Sequence, residues 1–398
     1  MEAHVMEWLH MLFRWAHVIT GIAWIGASFY FVWLDNHLEQ PTSDQLKNQG
    51  VSGELWAVHG GGFYNPQKYM TAPKKLPKNL HWFYWESYAT WMSGFGLFIL
   101  MYLWHPQVYL IDPTLFPMTS SQAVMAALGF LVVGWVLYDL NCRLFRQRPW
   151  ILSGLTVLLV VAASFLATQI FPGRAAYLIV GATMATMMTA NVLFWIIPGQ
   201  RKVVAAMKQG DPVNPIHGQI GKQRSVHNTY FTLPVLFCML SNHFSFLTQH
   251  QLSWVLLVLM MLAGVLVRQF FILKHKGEMR WSLPISGLAV MAFVLFMVTP
   301  RPMETKDPQM TELGGVSHEK VSAIIQERCY GCHAKNPQLI PGAPAPKGIV
   351  FENIHDIQRH ARAIYVQTVQ QQIMPLGNIT KMTEQERQVI KEWFLERS

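Results

Sequence analysis

Charged residues are scarce in this chain. Asp, Glu, Lys and Arg make up 13% of its 398 residues, about half the share of an average soluble domain, while apolar residues make up 52%. This composition excludes an ordinary soluble protein and predicts that most of the chain lies in a lipid bilayer. The net charge of +9 does not indicate nucleic-acid binding, because the basic residues lie in short loops between apolar runs, where they orient a membrane protein.

Cysteine is also scarce, with four residues. Cys142 and Cys238 lie singly in or beside apolar segments, so a disulfide framework is not indicated, whereas Cys329 and Cys332 are separated by two residues. Residues 1–9 contain two Glu and no Lys or Arg, and so lack the positively charged start of a cleaved signal peptide. We therefore expect the first helix to stay attached.

Eight apolar stretches are long enough to cross about 30 Å of hydrocarbon at about 1.5 Å per residue. They are residues 8–34, 82–104, 122–141, 150–171, 175–198, 229–247, 252–273 and 281–299. The loops after the odd-numbered stretches hold sixteen Lys and Arg, and those after the even-numbered stretches hold one, Arg174. The positive-inside rule therefore predicts cytoplasmic odd loops, with the N-terminus and everything beyond Thr299 on the outer side of a bacterial inner membrane.

The predicted fold class is all-α. An eight-span transmembrane helix bundle occupies residues 1–300, a polar, Pro-bearing linker follows over 301–317, and a small domain covers 318–398. Amphipathic patterns in this last segment predict three or four helices and no strands.

The close cysteine pair belongs to the segment CYGCH at 329–333, which has the C-x-x-C-H pattern of covalent c-type haem attachment. Two thiols bond the haem and the adjoining His binds its iron. A zinc site would need further ligands near by, and a redox C-x-x-C has no use for the His. The motif predicts a periplasmic class I cytochrome c domain with one haem c, because haem c is attached outside the bacterial inner membrane.

Met374 is the predicted second axial ligand, so that His333 and Met374 hold the iron between them. It lies in the segment IMPLGNIT, where Pro and Gly just before the last predicted helix make the backbone irregular. Met382, His355 and His360 are the alternatives. A thioether ligand raises the haem potential, which suits an electron acceptor.

Ionisable residues inside predicted spans are costly and suggest function. His10, Arg14 and His17 share one face of the first span, and His243 ends the sixth, both near the outer surface. His17 and His243 are therefore candidate ligands of a non-covalent haem b. The alternative is that each histidine only hydrogen-bonds within the bundle or at its surface.

A second polar cluster is predicted towards the cytoplasm. It combines a Gly-rich loop beside His59 with polar residues at the starts of the second and sixth spans, and its catalytic candidates are His59, Glu86, Arg224 and His227. Backbone N–H groups of the glycines can approach an anion, Lys68 or Arg224 supplies charge, and Glu86 or a histidine accepts a proton. The alternatives are a flexible turn for the glycines and a helix-start charge for Glu86. Asp139 and Arg268 are read as topology anchors or a buried pair.

Several segments together resemble one family, the integral-membrane, cytochrome c-fused urate oxidases of bacterial purine catabolism. The segments are RWAHVITGIAWIGASFYFVWLD, VHGGGFY, HWFYWESYATWMSGFGLF, HNTYFTLPVLFCMLSNHFSF and CYGCH. The resemblance implies oxidation of urate to 5-hydroxyisourate, with electrons leaving through the cytochrome instead of forming hydrogen peroxide. It implies haem ligation by Cys329, Cys332, His333 and Met374, and it carries over no urate-contacting residue.

Urate, the lipid bilayer and a respiratory electron acceptor, such as a terminal oxidase or a soluble cytochrome, are the expected partners. The alternative function is a non-catalytic electron-transfer subunit that takes electrons from quinol or a partner dehydrogenase. One or two spans would suffice for such a carrier, so eight spans with polar clusters at both faces favour a substrate site.

Overall fold

The computed structural model describes residues 2–70, 72–112, 115–299, 318–340, 345–370 and 372–395. The predicted linker over 301–317 lies outside these residues. The described chain is mostly helical, as the predicted all-α class requires. Its buried apolar side chains form two separate clusters, one between Phe98 and Val294 and the other between Val321 and Trp393.

Long helices form the N-terminal bundle. They are α1 (Glu2–His37), α3 (Trp85–Phe98, extended by a π-helical turn Ile99–Leu103), α5 (Ser120–Leu144), α6 (Pro149–Ile170), α7 (Gly173–Ala190), α8 (Ile197–Gln209), α9 (Ile216–Leu240), α11 (Ser253–His275) and α12 (Ser282–Val298). The short helices α2 (Asp44–Gln49), α4 (Pro106–Tyr109) and α10 (Ser245–Thr248) lie in the connections. A π-helical segment, Asn191–Ile196, joins α7 to α8 without a break.

Five of the described helices are long and apolar enough to cross a membrane. They are His4–His37, Ser120–Leu144, Pro149–Ile170, Gly173–Gln209 and Ser253–His275. Helix α12 is apolar but has 17 residues, and α3 and α9 carry more polar side chains. Each predicted stretch overlaps at least one bundle helix, so the structure is consistent with a membrane protein, and the count of eight spans stays a prediction.

Helix α9 starts well before the sixth predicted span. The prediction began at residue 229 because Lys222, Arg224 and His227 precede it, whereas the helix begins at Ile216. Arg224 is nevertheless buried, because other helices of the bundle supply it with polar partners. Hydropathy alone cannot detect such partners, since they come from distant parts of the chain.

Helix α7 is the centre of the bundle. Most of its side chains are buried, and it packs against α5, α6 and α9. At its crossing with α9, a Cβ added to Gly181 would lie 2.5 Å from the Cβ atom of Cys238. A glycine at this position therefore allows the two helices to approach.

Four short strands, which the all-α prediction did not include, occupy the first long loop. They are β1 (Gly53–Glu54), β2 (Ala57–His59), β3 (Gly62–Tyr64) and β4 (Gln67–Lys68), paired antiparallel as β1 with β4 and β2 with β3. Gly60 and Gly61 join β2 to β3 with φ of 58° and 81°. Such positive φ values suit a two-residue hairpin turn, which explains the glycine run without a ligand.

The C-terminal domain consists of short helices around its own core. They are α13 (His318–Arg328), α14 (Tyr330–His333), α15 (Ile354–Arg359), α16 (Ala361–Tyr365) and α17 (Glu384–Leu395), with a π-helical segment Val366–Gln370 after α16. No strand occurs in its described residues, as predicted. The 3-10 turn Leu376–Asn378 packs against α4 at one end of the bundle, where a Cβ added to Gly377 would lie 3.4 Å from the Ile111 carbonyl oxygen.

Candidate functional site

A buried ion pair anchors a polar network inside the bundle. Arg224, 1% exposed, donates from Nη2 to Oδ1 of Asp139 over 2.7 Å. The same carboxylate accepts hydrogen bonds from Arg143 Nε at 2.7 Å and from Trp195 Nε1 at 2.6 Å. The guanidinium of Arg224 also lies over the rings of Trp195 and Tyr138. The Asp139 carboxylate thus compensates the buried Arg224 charge, as burial in an apolar medium demands.

Asn191 extends this network. It accepts a hydrogen bond from Arg224 Nη1 at 3.2 Å and donates to the Tyr138 hydroxyl at 2.9 Å and to Asn228 Oδ1 at 2.8 Å. The Tyr138 hydroxyl is also hydrogen-bonded to His227 Nδ1 at 2.8 Å. Asn191 opens the π-helical segment between α7 and α8, and π-helical insertions are frequent at functional sites. Because the Tyr138 hydroxyl already accepts a hydrogen bond from Asn191, it donates its own hydrogen to His227 Nδ1.

A large cavity lies elsewhere, at the end of the bundle that contacts the C-terminal domain. Its volume is about 910 Å³, and it is lined by α1, α3, α7, the segment around residues 239–253, and residues of the C-terminal domain such as Pro375 and Arg387. His17 faces this cavity and donates from Nδ1 to the Thr90 carbonyl at 3.0 Å, which leaves Nε2 for a ligand. Gly94 makes room for the imidazole, because a Cβ there would lie 2.7 Å from His17 Cε1.

Cationic and aromatic side chains share the wall of this cavity. Arg14 and Arg174 line it, and both interact electrostatically with the Tyr102 phenol, which donates to Asn242 Oδ1 at 3.3 Å. Trp91 and Phe95 form a stacked pair, with ring centroids 5.0 Å apart and an interplanar angle of 6°. His243 lines the same cavity, so the two histidines of the haem b prediction face one space.

The cysteine motif lies on α14 and the residue before it. Cys329 is buried, Cys332 is half-buried, and both thiols are free. Burial raises the pKa of the Cys329 thiol to about 12. Burial also lowers the pKa of His333, although a hydrogen bond of its ring acts in the opposite direction. That bond runs from His333 Nδ1 to the Ile349 carbonyl at 2.9 Å and orients the ring, leaving Nε2 for a metal. Two thiols and an oriented imidazole fit a covalently attached haem.

The candidates for the second axial position differ in their surroundings. Met374 is half-buried, and its backbone is held by a hydrogen bond from its N–H to the Gln367 carbonyl and by one from Arg387 to its own carbonyl, both 3.0 Å long. Met382 is packed in the core, and His355 is exposed. No three His, Cys, Asp or Glu residues of the described chain are grouped so that they could hold a metal ion.

Residues 3–299, which form the bundle, match the urate oxidase N-terminal family. The chain belongs to this family. No curated protein and no solved structure matches it. Membership assigns this urate oxidase N-terminal region a urate-related function of the oxidoreductase kind, and the C-terminal domain lies beyond the matched residues.

Within the urate oxidase N-terminal region, the structure brings together two of the four predicted catalytic residues. Arg224 and His227 belong to one network through Asn191 and Tyr138. His59 is exposed on strand β2, and Glu86 is half-buried in the first turn of α3. Among the described residues no hydrogen bond or ion pair joins either side chain to the network, and their catalytic role stays a prediction.

Sequence reasoning missed three residues of the network, Tyr138, Asn191 and Trp195, and misread a fourth. The suggested pair of Asp139 with Arg268 is wrong, because Asp139 binds Arg224 and Arg143. Arg268 instead lies over the Phe29 ring, 4.0 Å from its centroid. The sequence did contain one indication of the network, because Asn191 is a polar side chain within the apolar stretch 175–198.

Proposed function

We propose that the protein is a membrane-bound urate oxidase that converts urate to 5-hydroxyisourate and passes the electrons to a covalently bound haem c. One observation carries the proposal. The domain with the CYGCH segment follows the urate oxidase region in the same chain and packs beside the cavity of the bundle. A redox acceptor and a urate-related domain in direct contact fit electron transfer within one molecule.

Cys329, Cys332 and His333 would hold the haem, with Met374 as the second axial ligand. When bound, a c-type haem supplies a one-electron acceptor, so each urate requires two successive transfers. The Ile349 carbonyl fixes the tautomer of His333, and burial of Cys329 keeps water from its sulfur.

The reaction also fixes what the membrane region must do. A urate monoanion and water give neutral 5-hydroxyisourate, one proton and two electrons, so the site has to bind a planar anion and accept a proton. His17 is the candidate proton acceptor, because its Nδ1 donates to the Thr90 carbonyl and Nε2 is left to accept a proton. A non-covalent haem b between His17 and His243 would be a store for the second electron.

We place the protein in the bacterial inner membrane with eight spans and with the N-terminus and the cytochrome domain in the periplasm. Support comes from the charge asymmetry of the loops and from the five long apolar helices. Electrons then pass to a terminal oxidase or a soluble cytochrome, and no oxygen is reduced to hydrogen peroxide.

An anaerobic visible spectrum tests the proposal. Purified, oxidised holoprotein is mixed with urate, and the haem α-band is followed. Urate alone should reduce the haem, and a His333→Ala variant should show no reduction. A second α-band would reveal haem b. If a quinol reduces the haem and urate does not, the protein is an electron-transfer subunit and the proposal is refuted.

A further inference from the structure

We propose that urate binds in the cavity between the bundle and the C-terminal domain, with its negative charge held by Arg14 and Arg174. This inference rests on the proposed function and names the substrate site for it. The buried Arg224 network then has a structural role away from the bound substrate.

The charge of the cavity wall supports this assignment, because its three guanidinium groups, Arg14, Arg174 and Arg387, outnumber its two carboxylates, Asp112 and Glu384. Neither Arg14 nor Arg174 has a carboxylate within ion-pair distance among the residues that the structure describes. The Nε atom of Arg174 is buried without a hydrogen-bond partner. An anion that enters the cavity would therefore meet two guanidinium groups that no described carboxylate neutralises, and both groups act electrostatically on the Tyr102 phenol.

The Arg224 network offers no comparable charge. The Nε atom of Arg224 is also buried without a partner, but its Nη2 is ion-paired with Asp139 at 2.7 Å and the group lies between aromatic rings. Its attraction for a second anion is therefore weaker than that of a guanidinium without a carboxylate partner. Neither Arg224 nor Asp139, Tyr138 or His227 lines the large cavity. A ligand in the cavity therefore meets Arg14 and Arg174 and does not touch the network.

The shape and chemistry of the cavity suit an oxopurine. A volume of about 910 Å³ exceeds what one small bicyclic anion needs, and leaves room for the water that the reaction consumes. The wall includes Trp91 and Phe95 in parallel stacking, which gives a flat π-surface for a planar ring. Tyr102 and Asn242 add hydrogen-bonding groups for carbonyl and N–H edges.

The location also suits the electron path. Pro375, Gly377 and Arg387 of the C-terminal domain line the cavity, and Pro375 directly follows the predicted axial ligand Met374. A purine in this space lies between the membrane helices and the haem-carrying domain. His17 lines this wall with Nε2 unused, so in this inference it accepts the proton that the reaction releases and does not ligate a haem b.

Binding to the reduced protein separates this inference from the proposed function. Holoprotein in lipid nanodiscs is kept reduced with dithionite, so that no electron acceptor is available, and radiolabelled urate is titrated by equilibrium dialysis. Arg14→Gln and Arg174→Gln should each raise Kd at least about tenfold, equivalent to about 1.4 kcal/mol. Arg174→Lys should recover part of the loss, and Arg201→Gln, at an exposed position on α8, should leave Kd unchanged.

Each outcome decides one of the two claims. Binding that depends on Arg14 and Arg174 without haem reduction after reoxidation supports the site and refutes the oxidase function. Urate oxidation with an unchanged KM in both glutamine variants refutes the site alone, as does an absence of saturable binding to the wild type. A non-covalent haem that is lost in both variants also overturns the inference, because its propionates would then be the bound anions. If the Arg174→Gln variant fails to incorporate haem c, the Arg14→Gln variant still tests the inference, because Arg14 is exposed.

Discussion

Removing the carboxylate of the Arg224–Asp139 pair should destabilise the bundle severely. In Asp139→Asn the Arg224 guanidinium stays buried at 1% exposure with no carboxylate partner, and Arg143 loses its charge partner as well. Breaking a buried ion pair from one side typically costs about 3–5 kcal/mol, because the remaining charge is uncompensated. We expect a loss of this size in the free energy of unfolding.

Arg143→Gln is the matched control, since it removes a bond of the same length to the same carboxylate. The Arg143 side chain is 60% exposed, whereas the Arg224 side chain is 2% exposed. Exposed ion pairs contribute about 0–1 kcal/mol, because water and salt screen them. The two variants should therefore differ by several-fold in their effect on stability.

The measurement is a reversible SDS titration of protein in mixed micelles, followed by tryptophan fluorescence. The double variant Asp139→Asn with Arg224→Met should regain most of the lost stability, because replacing a whole buried pair by apolar groups is often close to neutral. A loss below about 1 kcal/mol for Asp139→Asn, or a double variant as unstable as the sum of the single ones, would refute this reading of the network.

Three further predictions concern packing, acid stability and haem potential. Gly181→Ala should lower the free energy of unfolding by about 1–3 kcal/mol in the same titration, because the new Cβ would lie 2.5 Å from that of Cys238. Gly154→Ala is the control and should lower it by nothing, because no atom lies within 4 Å of the new Cβ; equal effects would contradict this. Burial raises the pKa of Glu386, but hydrogen bonds from Arg328 and Thr383 outweigh it, so that the pKa in the folded protein is lowered. The ionised carboxylate therefore stabilises the folded protein fully above its unfolded pKa of about 4.3, and this stabilisation is lost as pH falls through the folded value. Glu386→Gln should flatten this acid dependence in circular dichroism of the full protein, and an unchanged profile would contradict it. Met374→His should lower the haem midpoint potential in a redox titration, and Met382→Leu should leave it unchanged. If instead Met382→Leu changes the potential and Met374→His does not, Met382 is the axial ligand.

Much of the helical architecture followed from local patterns. Stretches such as 150–171 and 252–273 differ from the observed α6 and α11 by only a few residues, because a long apolar run has one stable conformation in lipid. The strands of the first loop were missed, since two or three residues each give no detectable alternation. The early start of α9 was missed because its polar residues are paired with other helices.

The sequence by itself determined the apolar helices, the two-part organisation and the CYGCH motif, because each depends on residues that are close together in the chain. Only the tertiary structure decided which polar groups meet. Asp139, Asn191 and Arg224 come from three helices, and Arg14 and Arg174 line one cavity although long stretches of chain separate them. Such contacts depend on how helices pack and rotate about their axes, which hydropathy and spacing along one helix do not specify.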